Sequence, residues 1–398
     1  MNQFTDDTPI VIFGDDWRRN VSTLQHVFAH LVTHRPVIWV NSFGHRAPRL
    51  TLYDMRRAVG KVGSMLSGYR IEDDGRPRPA RVVEPRAVPW HNLAPIRALN
   101  TYSLLRDIRR ALLDVAPGRP PLLITGTPAA EGVVGRLGEI ASLYFCMDDY
   151  AELPGVDRDV VGPLEALLLK RVDAVVATAR ALVEKKRPAS GRAYALPQGV
   201  NFEHFAKRQP VPADMAVLPR PWIGFAGGVS SACDFSIFSA LAQQYSHGSI
   251  VLVGPVEPGI AIPNDANIHL LGHRSYDVLP GYVQAFDVGL IPYVLNEWTR
   301  SVDPLKLLEY LAAGIAVVST AIPEVLKYES AIGVGRDLRG FVAAVRTALE
   351  QPASDDVVER RQAVARGNTW QQRSLQLMSI AATVVSEVRS HGDVTLRS

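Results

Sequence analysis

Short apolar, β-branched runs alternate with amphipathic stretches along most of this chain, and they do so in two separate series. The first series places apolar runs at 9–13, 36–41, 121–125, 142–147 and 174–177, with helical spacing over 23–33, 100–115, 129–138 and 161–170. A Pro-rich stretch, 196–221, has little periodicity. The second series then sets apolar runs at 222–225, 250–253, 268–271, 288–292, 316–319 and 331–334, with helical spacing over 234–245, 275–285, 304–313 and 337–350. Strands that are apolar on both faces and separated by helices specify parallel sheets covered on both sides. A chain of 398 residues is also too long for one ordinary core. The expected fold class is therefore α/β, with two doubly wound domains facing a cleft and helices at the C-terminus. The expected divisions are 1–195, a linker over 196–220, a second domain over 221–370, and a terminal helix over 371–398 able to pack back on the first domain.

Composition removes several classes. No run reaches the roughly 18 apolar residues of a membrane span, and residues 1–9 are polar and acidic, unlike a signal peptide. The two cysteines, Cys146 and Cys233, make neither a disulfide framework nor a metal-binding spacing, which fits a cytoplasmic protein. Residues 1–200 carry 27 Lys and Arg against 21 Asp and Glu, and the excess lies between Arg35 and Arg119. Such a patch suits an anionic membrane surface or an acidic acceptor; a solvated Arg-rich face is the plainer reading. No nucleic-acid module accompanies it. His26, His30 and His34 recur every four residues, but no acid or cysteine completes a metal set within that helix, so no metal is expected.

In open parallel sheets, ligands bind at the carboxyl ends of strands. The most informative segment after such an end is Asp303-Pro304-Leu305-Lys306-Leu307-Leu308-Glu309-Tyr310-Leu311-Ala312-Ala313-Gly314. Asp303 suits an N-cap, Pro304 the first helical position and Gly314 a C-terminal stop. Free N–H groups at the helix start, from Leu305 onward since Pro304 has none, would attract phosphate, and Lys306 adds a full charge there. Glu309 lies one turn deeper on the same face, where a carboxylate accepts the two hydroxyls of a ribose. An amphipathic helix with a surface Lys and Glu would need no ligand at all. Gly227, Gly228 and Ser230, just past 222–225, supply a loop whose amides and hydroxyls can hold a diphosphate. The same glycines also suit a plain tight turn.

In the first half, the run ending Tyr144-Phe145-Cys146-Met147-Asp148-Asp149-Tyr150 finishes in adjacent acids, either of which could take a proton from an acceptor hydroxyl or cap a turn. The loop 14–26 offers Asp16, Arg18, Gln25 and His26 as acceptor contacts. No G-x-G-x-x-G follows the first strand of either half, which argues against a nicotinamide cofactor.

The 303–320 segment resembles the donor-binding helix of the GT-B glycosyltransferases, chiefly the retaining family 4, through Lys306, Glu309, Gly314 and Val317-Val318-Ser319-Thr320. Leu196-Pro197-Gln198-Gly199-Val200-Asn201 with Phe205, Gly224-Phe225-Ala226-Gly227-Gly228, Asp287-Val288-Gly289-Leu290-Ile291-Pro292 and Thr369-Trp370 are similar to that family's later motifs, in the same order. The resemblance implies two Rossmann-like domains, a nucleotide diphosphate sugar as donor, and no metal or other cofactor. Two departures stand out: Ser301 occupies the place of the family's earlier Glu, and no base follows Gly228 before Asp234. Ser301 through Tyr310 is similar instead to the donor segment of the inverting glucuronosyltransferase of xanthan assembly and to enzymes of teichuronic acid synthesis. That resemblance implies a UDP-sugar donor, Asp148 as catalytic base with Asp149 second, and a lipid-linked or polysaccharide acceptor. A non-hydrolysing nucleotide-sugar epimerase and a non-catalytic nucleotide-sugar-binding protein are the alternatives on the same fold.

Overall fold

The computed structural model describes residues 4–17, 22–42, 77–85, 94–153, 156–351 and 354–395. The chain divides into two compact units: residues 1–177, 183–195 and 374–398 form one, and 178–182 with 196–373 form the other.

The first unit is built on a parallel sheet of β1 (Ile10–Phe13), β2 (Val37–Val40), β3 (Arg81–Val83), β4 (Leu122–Thr125), β5 (Ala141–Cys146), β6 (Ala174–Ala177) and β7 (Ala193–Ala195), in the order β3-β2-β1-β4-β5-β6-β7. Every residue of β1, β2, β4, β5 and β6 is buried, as expected for strands covered on both faces. The expected helix over 129–138 is reduced to one 3₁₀ turn, Pro128–Ala130. Gly135 and Gly138, both at positive φ (80° and 70°), turn the chain where a helix would continue. Residues of the terminal helix from Ser374 onward belong to this unit, where Glu387 pairs with Arg192 at 2.6 Å.

The second unit holds β8 (Trp222–Ala226), β9 (Ser249–Val253), β10 (Ile268–Gly272), β11 (Val288–Ile291), β12 (Ala316–Thr320) and β13 (Gly333–Gly335), all parallel, in the order β10-β9-β8-β11-β12-β13. Helices Phe235–Gln244 and Leu338–Glu350 cover one face and Leu279–Ala285 and Leu305–Ala312 the other, each contributing to one of two apolar clusters. The Pro-rich stretch is more regular than its sequence suggests, carrying short helices at Phe202–Ala206 and Ala213–Ala216. The helix carrying Lys306 runs from Leu305 to Ala312 and stops before Gly314, whose φ is +78°.

Asp303 does not cap that helix; Pro304 is the N-cap residue, and no side chain bonds to the first turn. The Asp303 carboxylate instead accepts the Gln198 N–H at 2.9 Å, and Lys327 stands 3.9 Å away. Burial pushes the Asp303 carboxyl up to about 6 despite that lysine. A Pro at N-cap cannot supply a side-chain acceptor, so the capping rule yields here to a tie between the helix start and the interdomain stretch.

In both sheets the strand order reverses beside the first strand, between β1 and β4 in one and between β8 and β11 in the other. Loops leaving two such strands diverge to opposite faces of the sheet and leave a crevice at their carboxyl ends. Close packing against β8 is testable. A Cβ on Gly224 would lie 2.1 Å from the buried Phe286 ring. Gly224→Ala should cost about 1–3 kcal/mol, read as a lower urea midpoint with an unchanged slope.

Candidate active site

The crevice of the second unit is lined by the loop after β8 and the segment after β11. Gly227 (φ +145°) and Gly254 (φ +151°) meet backbone to backbone: a Cβ on Gly254 would stand 1.9 Å from the Gly227 carbonyl oxygen. The Gly227–Asp234 loop is stitched to the β11 exit by Asp234 N–H to the Pro292 carbonyl at 2.7 Å and Val294 N–H to the Ala232 carbonyl at 2.9 Å. Asp234 then caps the next helix by accepting the Ser236 N–H at 3.0 Å.

Lys306 reaches into this corner from the first turn of its helix. Its ammonium donates to the Tyr293 hydroxyl and lies 4.7 Å from the centroid of the Tyr293 ring and 5.1 Å from that of Phe225. A Cβ on Gly227 would sit 3.3 Å from the Lys306 nitrogen, so the lysine covers the glycine directly. Among the described residues no carboxylate pairs with Lys306. The Leu307 N–H already bonds the Pro304 carbonyl at 3.1 Å, but the Leu305 and Lys306 amides precede the first intrahelical acceptor, and among the described residues no side chain takes them. A cation, open amides and a glycine backbone therefore converge, which is what a diphosphate requires.

Glu309 follows one turn on, half-buried, and among the described residues its carboxylate has no hydrogen-bond or ion-pair partner. Burial pushes its carboxyl up to about 7, against the pull of Lys306. Tyr276, just past β10, is raised by burial and by the Glu309 charge, which places the two side chains within electrostatic reach. Gly228 is exposed and Ser230 half-buried in the same loop; Pro304 is buried at the helix start, Leu305 half-buried, and Ser301 buried in the preceding 3₁₀ turn. The structure thus gathers Gly227, Lys306 and the helix start directly. Tyr293 and Phe225 were not anticipated from sequence, although Tyr293 lies two residues past the end of β11, where strand-end ligands are sought.

In the first unit, the β5 exit separates its two acids. Asp149 is buried; Lys185 and Lys186 both donate to it, the latter at 2.8 Å. Lys186 also binds Glu165 at 2.6 Å, and Glu165 accepts the Tyr144 hydroxyl at 2.7 Å. Burial works against the Asp149 charge, but the two lysines outweigh it and hold the carboxyl below its usual range. Such a group anchors the strand and makes a poor proton acceptor, so its place as second base gives way to an anchoring role. Asp148 is half-buried beside it. The Tyr150 phenol, which donates to the Gly126 carbonyl at 2.7 Å, is raised by burial and by the charges of Asp148, Cys146 and Asp15. The exits of β1, β4 and β5 therefore converge on one tyrosine.

Two of the expected acceptor contacts also prove to be braces. Gln25 is buried and its amide donates to the Asp16 carbonyl at 3.1 Å, while the Asp16 carboxylate accepts the Ser42 hydroxyl at 2.7 Å and its N–H at 3.2 Å. Both side chains hold the loop after β1 in shape rather than facing outward. His26 is half-buried on the following helix. Arg18 lies outside the described residues. Among the described residues, no group of three or more His, Cys, Asp or Glu is arranged to hold a metal ion.

Residues 220–351 match the family model described as "Glycosyl transferases group 1". The Bacillus subtilis protein TuaH, provisionally named as a teichuronic acid biosynthesis glycosyltransferase, is 28% identical over 314 residues, covering 72% of this chain and 76% of its own length. Among solved structures, Anabaena HepE in complex with UDP and glucose aligns with a TM-score of 0.63 at 13% identity, over 94% of this chain and 100% of its own. A trehalose-6-phosphate protein from E. coli, bound with UDP-2-fluoro glucose, aligns with a TM-score of 0.60 at 12% identity, over 94% and 99%. At these identities the two structures establish the shared GT-B fold.

A carboxylate that must be ionised to accept hydroxyls makes nucleotide binding sensitive to pH. Ligand hydroxyls placed on Glu309 would favour its ionised form and lower its pKa in the complex, and affinity should then rise with pH through about 7. Isothermal titration of UDP from pH 5.5 to 8.5 should show this rise in wild type, and Glu309→Gln should bind more weakly at pH 8 and lose that component of the slope. A Glu309→Gln profile parallel to wild type would remove the carboxylate from the site.

Proposed function

We propose that this chain, a glycosyltransferase of GT-B fold with a group 1 transferase domain over residues 220–351, moves a hexosyl or glycuronosyl unit from UDP to a lipid-linked or polysaccharide acceptor in cell-envelope or exopolysaccharide synthesis. The observation that carries the donor half is the Lys306 ammonium, held over Gly227 by two aromatic rings and, among the described residues, in no ion pair with a carboxylate. A cation kept that way is matched to a ligand that brings its own negative charge. UDP is favoured over other nucleotides because HepE and the trehalose-6-phosphate protein were solved with it. The polysaccharide acceptor is supported by the name that TuaH carries.

The chemistry follows from charge. As the bond between the sugar's anomeric carbon and the diphosphate oxygen breaks, negative charge grows on the leaving group, where Lys306 and the open helix amides stabilise it. No base between Gly228 and Asp234 shares that task, so Lys306 carries most of it. The acceptor hydroxyl bonds to the anomeric carbon from the opposite side and loses its proton to Asp148, which inverts the configuration. Glu309 holds the ribose. No metal is required, since the leaving charge is met by lysine and amides. The reaction takes place on the cytoplasmic side, where nucleotide sugars are made.

Thermal shift in the presence of UDP tests the donor half. At a hundred times the dissociation constant, wild type should gain about 2.7 kcal/mol, and Lys306→Ala should lose that gain; an equal shift in the variant would remove Lys306 from the site. Asp148→Asn should keep the UDP shift while transfer falls by about 10²–10⁴-fold. Sugar epimerised from UDP-sugar alone, with no acceptor added, would turn the reading toward an epimerase.

A further inference from the structure

The helix Ala94–Val115 of the first unit packs on β2 and β3 with Leu104, Leu105, Ile108 and Leu112 buried. Its other side carries an unusual surface. Leu99, Tyr102 and Leu113 are 56%, 66% and 68% exposed, and Arg106, Arg109 and Arg110 are exposed among them. At about 3.6 residues per turn these six positions fall within an arc of roughly 100°. The helix's two acids, Asp107 and Asp114, lie outside that arc. One face therefore combines large apolar side chains with three guanidinium groups and no carboxylate.

We infer that this helix face lies on an anionic lipid bilayer surface, with Leu99, Tyr102 and Leu113 entering the headgroup boundary and the three arginines meeting lipid phosphates. Charge complementarity selects the partner. Apolar groups alone would fit a protein or a second copy of this chain, but three arginines without an acid along the same face would repel an identical face. Arginine stems also lie along apolar surface while their heads reach phosphate, so the mixture suits a headgroup layer. Two of the three have protein contacts now: Arg106 pairs with Asp107 at 3.0 Å and Arg109 donates to the Arg136 carbonyl at 2.7 Å. Both contacts are at the exposed surface and exchange readily for lipid phosphate. Among the described residues no helix is long and apolar enough to cross a membrane, so this is attachment in the plane of the surface. The inference draws its biological sense from the lipid-linked acceptor proposed above, while its physics rests on the helix alone.

Sedimentation of the full chain with sucrose-loaded vesicles is the test, comparing phosphatidylglycerol–phosphatidylcholine mixtures with pure phosphatidylcholine. Wild type should pellet with the anionic vesicles, less so in high salt, and stay in solution with the neutral ones. The R106Q/R109Q/R110Q variant should bind anionic vesicles about tenfold more weakly or worse, and L99S/Y102S/L113S should lose binding as well. Because all six side chains are exposed, thermal melts and the UDP shift should match wild type and certify both variants as folded. Equal binding to both vesicle types, or wild-type binding by both variants, would overturn the inference. So would a dimer, seen by size exclusion and broken by L99S/Y102S/L113S, in a chain that ignores vesicles. Vesicle binding without a UDP shift would discard the donor site and leave this surface standing; a UDP shift without vesicle binding would do the reverse.

Discussion

The half-buried Lys306 ammonium carries a full positive charge, and among the described residues no carboxylate forms an ion pair with it. Two aromatic rings and a phenol hold it over Gly227. Cation–π contacts of this kind are worth about 0.5–2 kcal/mol, and they hold the ammonium in place without neutralising it. Its charge is left for a ligand to meet. The surrounding geometry serves this imbalance: glycines without side chains at 227 and 254, a helix start without a side-chain cap, and a loop stitched to the β11 exit so that the corner keeps its shape.

The placement of that corner is topological. Each sheet reverses its strand order once beside its first strand, and chemistry-bearing side chains leave from the strands that flank each reversal. In the second unit these are β8, leading to Gly227, and β11, leading to Tyr293. In the first unit β1 leads to Asp15 and β4 to Gly126, with Asp148 following on neighbouring β5. A doubly wound sheet makes such a crevice whether or not it is used; the sequence decides what lines it.

The adjacent acids of the β5 exit show how environment assigns roles. Asp149 is locked into a chain with buried Lys186, Glu165 and Tyr144 and with the exposed Lys185, while Asp148, the residue before it, is half-buried within electrostatic reach of Tyr150. The lysines hold Asp149 ionised and occupied, since removing either partner from a buried pair leaves an uncompensated charge. Two lysines already occupy the Asp149 carboxylate, which removes it as a proton acceptor and leaves Asp148 as the acid of the pair to test. Sequence alone could not separate them, because the lysines lie more than thirty positions away.

The amino-acid sequence determined the two series of buried parallel strands, the helix from Leu305 to Ala312 with its glycine stop, and the placing of Lys306 and Glu309 on it. Of these, the spacing that sets Lys306 and Glu309 one turn apart without joining them, and all the strands except β3 and β7, follow from local periodicity and backbone preference, which neighbours in the chain are enough to set. Tertiary structure decided the rest. It gave Asp303 to Gln198 instead of the helix start, spent Gln25 and Asp16 on bracing a loop, and set Tyr293 and Phe225 around the lysine. Each depends on groups brought together from distant parts of the chain, and a side chain's remaining hydrogen-bonding capacity and charge are known only once every such neighbour is in place.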